Sequence, residues 1–301
     1  MAVLTREEPR PGAAIAASRL GQKRRAQIGH LLLHLALIAV GITFLAPFAW
    51  LLSTSLKQSG TEFAYPPQWI PHPIVWSNYK TALVDVVPFF VYFKNTMIIT
   101  VGATVGDVLM SAVVAYSFAR LRWPGRNAMF MATLATLMLP SIVTIIPTFL
   151  LMRYLHWIDT FYPLIVPSWA GGSAFSIFLF RQFFMTIPLE LDEAARVDGA
   201  NPLRIFWSII LPLSGPVLAT VVIFDVLNNW NDLFNPLIFL NSESNYTMAL
   251  GLTQYAVGHN GTFYNLQMAA ATVMTIPVIL LFFFAQRYFM RGIVTTGLAA
   301  R

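Results

Sequence analysis

One polar cluster interrupts the apolar run 208–238, and its side chains suit the recognition of hydroxyl groups. Its members are Asp225, Asn228, Asn229, Trp230 and Asp232. Carboxylates and amides exchange hydrogen bonds with hydroxyls, and an indole presents a flat apolar face to a ring. On a helix, Asp225, Asn229 and Asp232 share one face. Two interpretations stay open: the face lines the path of a polar solute, or it hydrogen-bonds neighbouring helices within a membrane.

A second polar stripe lies on the apolar run 94–118. Thr100, Thr104, Asp107 and Ser111 recur at helical spacing and share one face. An acidic side chain costs about 2.5–3.5 kcal/mol at the middle of a bilayer, so it needs a cavity or a neighbouring helix. For Asp107 we favour hydrogen bonding between helices over a role in binding.

The segment 185–212 concentrates charge between two apolar runs, and we predict that it begins with a short helix. Pro188 is placed to start that helix. The acidic residues of its first turn, where the helix dipole favours negative charge, are Glu190, Asp192 and Glu193. Gly199 can end the helix in the left-handed conformation.

A second short helix follows this turn. Asn201 caps it, Pro202 takes its first position, and Pro212 marks the start of the next apolar run. On the first helix, Ala194 and Ala195 leave a small-residue surface that another protein can approach closely. The alternative is a solvated amphipathic connector that lies on the lipid face.

The sequence lacks the motifs of several enzyme classes. No glycine precedes any lysine, which excludes a Gly-Lys-Ser/Thr phosphate-binding loop. There is no His-Glu-x-x-His motif and no Gly-x-Ser-x-Gly motif. The absence of cysteine excludes disulfides, thiolate metal sites and cysteine nucleophiles. We therefore predict no catalytic residue, no metal site and no cofactor bound by this chain.

The composition is that of an all-α polytopic membrane protein. Of its 301 residues, 57% are hydrophobic and 11% are charged, against about 25% charged in soluble domains. A helix needs about 20 apolar residues to cross the hydrocarbon core of a bilayer. The six predicted spans are 28–52, 94–118, 127–151, 161–181, 208–238 and 265–288.

The basic residues cluster between the spans, which argues against a nucleic-acid partner despite a net charge of +6. Of the 19 lysines and arginines, 15 fall on the side that holds both termini and segment 185–212. The positive-inside rule places that side in the cytoplasm. We therefore predict a mobile cytoplasmic tail over 1–26 and a transmembrane domain over 27–301, in the cytoplasmic (inner) membrane of a prokaryote.

Motifs along 27–301 carry a resemblance to a known family. Glu193-Ala194-Ala195, Gly199 and Ile209-x-Leu211-Pro212 have the spacing of the EAA motif of ABC importer permeases, and "EAARVDGA" resembles its carbohydrate-importer form. Further blocks resemble, in order, the smaller permease subunit of maltose-type importers. They are "PFAWLLSTSLK" (47–57), "YFKNTMIIT" (92–100), "AYSFARLRWPG" (115–125), "NNWNDLFNPLIFL" (228–240), "YTMALGLTQY" (246–255) and "AQRYFMRGI" (285–293).

The resemblance implies the type I ABC importer permease fold and a set of partners. These are a second, homologous permease, two ATP-binding subunits that hold ATP and Mg²⁺, and an extracytoplasmic solute-binding protein. Segment 185–212 would be the coupling helix that docks into a cleft on the ATP-binding subunit, with Glu193 as charged anchor and Gly199 as hinge. The other residues expected at that contact are Ala194, Ala195, Asp198 and Pro212.

The outer segment 256–265 contains Asn260-Gly261, a strong turn signal. In the maltose-type family the matching loop reaches into the solute-binding protein. The resemblance implies the same contact for Gly258, His259, Asn260, Gly261 and Phe263. An ordinary surface turn is the alternative.

The function implied is passage of a sugar or oligosaccharide from the binding protein to the cytoplasm, driven by ATP hydrolysis on separate chains. Import of glycerol-3-phosphate or its diesters is the alternative within the class. An ion-coupled secondary transporter would show inverted repeats, and no such repeat is found. An intramembrane enzyme is disfavoured by the missing motifs.

Overall fold

The computed structural model describes residues 11–255 and 263–298, and these ranges hold helices and connecting segments but no β-strand. The helices are α1 (Pro11–Ser55), α2 (Ser77–Lys80), α3 (Phe89–Arg120), α4 (Arg126–Ala135), α5 (Ser141–Tyr154), α6 (Tyr162–Trp169), α7 (Ala174–Thr186), α8 (Glu190–Val197), α9 (Pro202–Ile205), α10 (Leu211–Leu213), α11 (Gly215–Trp230), α12 (Phe234–Phe239), α13 (Met248–Gly251) and α14 (Tyr264–Leu298). The π-helical turns Thr81–Val86 and Phe206–Ile210 continue α2 and α9, and short 3₁₀ helices span Thr136–Met138, Glu243–Asn245 and Leu252–Tyr255. The predicted all-α class is confirmed.

Four helical stretches are long and apolar enough to cross a membrane, and they match the first, second, fourth and sixth predicted spans. They are Gln27–Ser55, Phe89–Arg120, Tyr162–Thr186 and Tyr264–Phe284. α1 begins at Pro11 and continues unbroken into its apolar stretch, so no helix end marks the predicted boundary after residue 26. No residue of the most apolar part of α1 is buried within this chain, so lipid or another subunit must cover it.

The third predicted span, 127–151, is wrong as a straight helix. Arg126–Met138 and Ile142–Tyr154 meet at 100°. Pro140 disfavours helical backbone at the residue before it, and Leu139 accordingly has φ −82° and ψ 115°. The proline therefore turns one predicted span into two short helices.

The fifth predicted span, 208–238, is also wrong as one helix. Pro202–Leu213 and Gly215–Trp230 meet at 80°. Pro216 occupies the first turn of α11, where a missing N–H group costs no hydrogen bond. Pro212 consequently lies in α10, ahead of the bend, and does not mark the start of α11 as predicted.

The other end of α11 also differs from the prediction. Asn231 donates both its backbone N–H and its side-chain Nδ2 to the Leu227 carbonyl, at 3.2 and 2.8 Å, and this closes the helix at Trp230. Asp232 therefore lies beyond the helix. It cannot continue the helical face of Asp225 and Asn229.

α3 is the central helix, because α6, α7 and α11 all pack against it. One buried cluster surrounds Phe180, Phe184 and Phe206 at the end of the bundle that holds segment 185–212, which we call the loop end. Another surrounds Tyr92 and Tyr255 at the opposite end. The candidate functional residues lie near one end or the other.

Two glycines permit this close packing on α3. A β-carbon at Gly106 would lie 2.4 Å from the Trp169 ring, so a larger residue there would push α6 away. A β-carbon at Gly172 would lie 2.6 Å from the Ser111 backbone nitrogen, and Gly172 also has φ +75°. Both contacts bring the α6–α7 connection against the middle of α3.

Candidate functional site

The turn after α8 is a Schellman motif, formed as the sequence predicted. Gly199 has φ +79°, and its N–H donates to the Arg196 carbonyl at 3.0 Å. The Ala200 N–H donates to the Ala195 carbonyl at 2.9 Å, which completes the motif. A β-carbon at Gly199 would meet no atom within 4 Å. Backbone conformation, and not crowding, therefore requires glycine here.

The second helix of the segment also begins as predicted. The side chain of Asn201 accepts a hydrogen bond from the Arg204 N–H at 2.8 Å, and Pro202 holds the first position. The first turn of α8 carries the three predicted acidic residues. Short-range chemistry therefore fixes both helices of the segment and the turn between them.

The two faces of α8 have different neighbours. Asp192 and Ala195 are 3% and 8% exposed and face the bundle, whereas Glu193, Ala194 and Asp198 are exposed. The expectation that Ala195 forms an external small-residue surface is therefore wrong. It lies one helical turn after Asp192 and packs into the loop-end cluster.

Exposed apolar residues of this segment, among them Val197 and Leu203, were not predicted from the sequence. Val197 is 88% exposed and Leu203 is 63% exposed. Five residues of helix rotate the side-chain direction by about 140°, so Val197 points away from Asp192 and the bundle. The sequence signal for Val197 is its position opposite the buried face of α8. That signal can be recognised only after the structure shows that Asp192 and Ala195 form the buried face.

A buried ion pair that was not predicted from the sequence joins α8 to α3. Arg120 Nε lies 3.8 Å from Asp192 Oδ2, and Arg120 Nη2 donates to the Ile187 carbonyl at 2.6 Å. From the sequence, Arg120 counted only as one of the basic residues that set the orientation. The pair shows that α8 is attached to the membrane bundle through its inner face.

A cavity of about 300 Å³ lies between α3, α5, α6, α11 and α12, towards the opposite end. Its polar lining consists of Thr96, Thr148, Ser168, Asn229, Asp232, Asn235 and Thr247. Among the described residues, this lining has one carboxylate and no basic side chain. The volume is at the lower end of the range for small-molecule sites.

Hydrogen bonds within the chain orient the polar groups of this cavity. Asn229 Nδ2 donates to the Asp225 carbonyl at 2.8 Å. The Asp232 carboxylate accepts from the Asn235 N–H at 3.1 Å and from Asn235 Nδ2 at 2.8 Å, in the first turn of α12. The three side chains are thus held before a ligand arrives, which lowers the entropic cost of binding.

A family model described as "Binding-protein-dependent transport system inner membrane component" matches residues 107–295, which include both α8 and most of the cavity lining. The chain belongs to this family. It is therefore an inner-membrane permease, and its fold is that of an ABC importer permease, as the EAA spacing implied.

Curated relatives and a solved structure agree with this assignment. The chain is 32% identical over 245 residues to the arabinooligosaccharides transport system permease protein AraQ of Halalkalibacterium halodurans, covering 81% of this chain and 85% of that one. It is 35% identical over 238 residues to the sn-glycerol-3-phosphate transport system permease protein UgpE of Pectobacterium atrosepticum, covering 77% and 84%. A chain of a bacterial ABC transporter involved in import of the acidic polysaccharide alginate aligns with TM-score 0.76 and 26% identity, covering 88% of the permease and 98% of that chain.

Only two of the five residues predicted to form a solute path line the cavity of the permease, namely Asn229 and Asp232. Trp230 is 3% exposed, donates from Nε1 to the Met274 carbonyl at 3.2 Å, and belongs to the opposite-end cluster. Asn228 is exposed on α11, away from the lining. The Asp225 carboxyl group lies beside that of Asp107, and its carbonyl holds Asn229.

The polar stripe on α3 is buried in helix packing. The Asp107 carboxylate accepts hydrogen bonds from the hydroxyls of Ser111, at 3.2 Å, and Ser176, at 2.7 Å, and from the Ser173 N–H. Ser173 is the N-cap of α7. Asp107 therefore fixes the start of α7 against α3, in line with the structural role favoured from the sequence.

The predicted contact loop for the binding protein lies mostly outside the described residues, since Gly258, His259, Asn260 and Gly261 belong to that gap. Phe263 is described. Its N–H donates to the Tyr255 carbonyl at 3.1 Å, and its half-buried side chain packs against the opposite-end cluster. In the described part of the permease, Phe263 therefore closes this loop onto the bundle.

Proposed function

We propose that the permease passes a sugar or an oligosaccharide from an extracytoplasmic binding protein to the cytoplasm, along a path that includes the cavity at Asn229 and Asp232. The observation that carries this proposal is the lining of that cavity. Fixed amide, carboxylate and hydroxyl groups alternate there with proline and aliphatic side chains. Such a surface suits a solute with several hydroxyl groups on an apolar ring.

The electrostatics of the lining favour a neutral solute over a phosphate ester. One relative is named for arabinooligosaccharides and another for sn-glycerol-3-phosphate. A phosphate ester calls for arginine, lysine or a helix N-terminus. The described lining offers the carboxylate of Asp232 and no cation, so a phosphate there would meet like charge. Glycerol-3-phosphate import is therefore the second candidate.

The energy would come from two ATP-binding subunits, which hold ATP and Mg²⁺. We place their contact on the exposed side of α8 and its turn, where Glu193, Ala194, Asp198 and Gly199 are joined by Val197. Exposed charge beside an exposed apolar residue on a rigid turn is a surface suited to docking in a cleft. A second, homologous permease would complete the membrane part.

The same arrangement supports one orientation in the membrane. The loop end carries α8 and would face the cytoplasm with both termini, in agreement with the distribution of basic residues. The opposite end would face the binding protein, through residues 258–263. The cavity lies towards that end, which suits the first binding position of a solute that enters from the binding protein.

Uptake by reconstituted transporter tests the proposal. The complete complex with its binding protein would be placed in vesicles and supplied with labelled oligosaccharide or labelled glycerol-3-phosphate. Asn229→Ala and Asp232→Ala should each lower sugar uptake about three- to tenfold, the value of one or two hydrogen bonds. The matched control Asn228→Ala, one residue away and outside the lining, should transport normally.

Two outcomes would contradict the proposal. Normal uptake in both lining variants would make the cavity structural. Faster uptake of glycerol-3-phosphate than of any sugar would favour the second candidate. Co-purification of the ATP-binding subunit, measured for every variant, separates lost transport from lost assembly.

A further inference from the structure

Arg120 is the last residue of α3 and is buried beneath α8. Its exposure is 7% for the whole residue and 1% for the side chain. Its guanidinium reaches two points at once: the carboxylate of Asp192 in the first turn of α8, and the Ile187 carbonyl in the connection that precedes α8. One side chain thus fixes both the approach to α8 and its first turn.

Burial makes this ion pair costly to break. A guanidinium or a carboxylate taken out of water alone is very unfavourable, so removing one partner of a buried pair typically costs about 3–5 kcal/mol. Arginine is suited to the position because its planar guanidinium donates from Nη2 to the Ile187 carbonyl while Nε stays 3.8 Å from the Asp192 carboxylate, whereas a lysine ammonium is a single point charge. Lysine at position 120 would keep the charge and lose the second contact.

Apolar packing continues the same attachment. Tyr116, one turn before Arg120 on α3, packs its ring 5.2 Å from that of Phe206, which follows α9. Ala195 of α8 and Ile205 of α9 belong to the same buried cluster. Both short helices of the segment therefore lie on the last two turns of α3.

We infer that Arg120 is a positioning residue for energy coupling: its contacts to Asp192 and Ile187 make α8 and the end of α3 one rigid body. This inference rests on the proposed contact between α8 and the ATP-binding subunit. Glu193, Asp198 and Val197 face outward on the same helix whose inner face Arg120 holds. A push on the outer face is then carried to α3, which packs against α6 and α11, two of the helices that line the cavity.

The test uses the complete transporter in vesicles and measures the number of solute molecules carried per ATP hydrolysed. Arg120→Lys and Asp192→Asn should still assemble, and this ratio should fall about tenfold, a usual size for coupling between sites. Arg122→Lys is the matched control, because Arg122 is exposed two residues away. Its ratio should stay at the native value.

A purely stabilising role for Arg120 predicts something else. The variants would then yield less complex, or complex with a lower melting temperature, while each assembled complex kept the native ratio. That result would overturn the inference. A native ratio in both variants with native stability would overturn it as well.

Cross-linking provides an independent measurement, because the chain has no cysteine. In the double variant Arg120→Cys/Asp192→Cys, a short bifunctional thiol reagent would link the two cysteines, so that a covalent bridge replaces the lost ion pair. If α8 and α3 move together, bridging the two positions should restore the ratio from its lowered value. If they move relative to each other during transport, the bridge should abolish uptake, and the inference fails.

Failure of the proposed function itself would look different. If segment 185–212 does not contact the ATP-binding subunit, solute-stimulated ATP hydrolysis will stay at the native level in both single variants, Gly199→Val and Arg120→Lys. If only the Arg120 inference is wrong, Gly199→Val will abolish that stimulation while Arg120→Lys keeps it.

Discussion

Ser242 donates both its backbone N–H, at 2.8 Å, and its hydroxyl to the carboxylate of Asp159, which lies 83 positions earlier in the chain. The same carboxylate accepts the Asn241 N–H at 2.9 Å and Asn245 Nδ2 at 3.2 Å. In return, the Asp159 N–H donates to the Phe239 carbonyl at 2.7 Å. A single aspartate thus ties the α5–α6 connection to the segment that follows α12.

The first prediction is that this attachment does not change with pH in the physiological range. Burial acts to raise the pKa of Asp159, but the hydrogen bonds from Ser242, Asn241 and Asn245 outweigh it and lower the pKa from 3.8 to about 2. A lowered pKa in the folded state means that the stabilisation is complete above the ordinary pKa and is lost as the pH falls through about 2.

Amide hydrogen exchange of residues 239–246 checks this prediction. Asp159→Ala should exchange faster than the native chain there, by a ratio that stays constant between about pH 5 and pH 8. A ratio that shrinks within that range would show that another titrating group controls the contact.

A second prediction concerns the turn after α8. Valine at Gly199 must adopt the left-handed conformation, which a β-carbon disfavours by about 1–2 kcal/mol. Gly199→Val should therefore abolish uptake while the complex still forms, and Glu193→Lys should weaken capture of the ATP-binding subunit. Gly199→Asn is the control, since asparagine tolerates this conformation and should retain uptake. Native solute-stimulated ATP hydrolysis in Gly199→Val and Glu193→Lys would disprove the coupling role.

The third prediction tests the close approach at Gly172. Alanine there would bring a β-carbon to 2.6 Å from the Ser111 backbone, which cannot move as easily as a side-chain tip. Gly172→Ala should therefore lower stability by about 1–3 kcal/mol, the usual cost of overpacking. Gly215→Ala is the control, because its β-carbon meets nothing within 4 Å. Equal melting temperatures for the two purified variants would contradict the packing described for the α6–α7 connection.

A fourth prediction concerns topology. A reporter enzyme that is active only outside the cytoplasm should be active when fused after Ser59 or His259, and silent when fused after Arg122 or Arg196. The reason is the excess of lysine and arginine on the side of the membrane that holds segment 185–212. An active fusion after Arg196 would reverse the proposed orientation and remove α8 from reach of any cytoplasmic ATP-binding subunit.

The features predicted correctly from the sequence are those fixed by short-range chemistry. Gly199 ends α8 and Asn201 caps α9 because a backbone conformation and a side-chain oxygen decide the matter within four residues. The long apolar stretches were found for a similar reason, since length and hydropathy are local properties. The resemblance of several motifs, in order, to those of one permease family then implied the fold.

The features missed depend on which residues meet in space. Periodicity placed Asp232 on the face of Asn229, but the helix ends before Asp232, and hydrogen bonds with Asn235 hold its carboxylate at the cavity instead. Trp230 has the chemistry of a binding residue and is instead hydrogen-bonded in the core. Arg120 looked like one of several basic residues near the lipid surface. Only the packing of α8 on α3 separates it from Arg122.

The 80° corner at Ser214 joins two helical arms into a bent lever. A push on one arm of such a lever moves the other arm in a direction nearly perpendicular to the push. Ser214 is fully buried, and its hydroxyl donates to the Ile210 carbonyl of the preceding turn at 2.6 Å. The arm Pro202–Leu213 is about 18 Å long and the arm Gly215–Trp230 about 24 Å, at 1.5 Å per residue. Rotation about the corner would therefore move the far end of α11 about one-third farther than the loop end, and would move it across the cavity at Asn229.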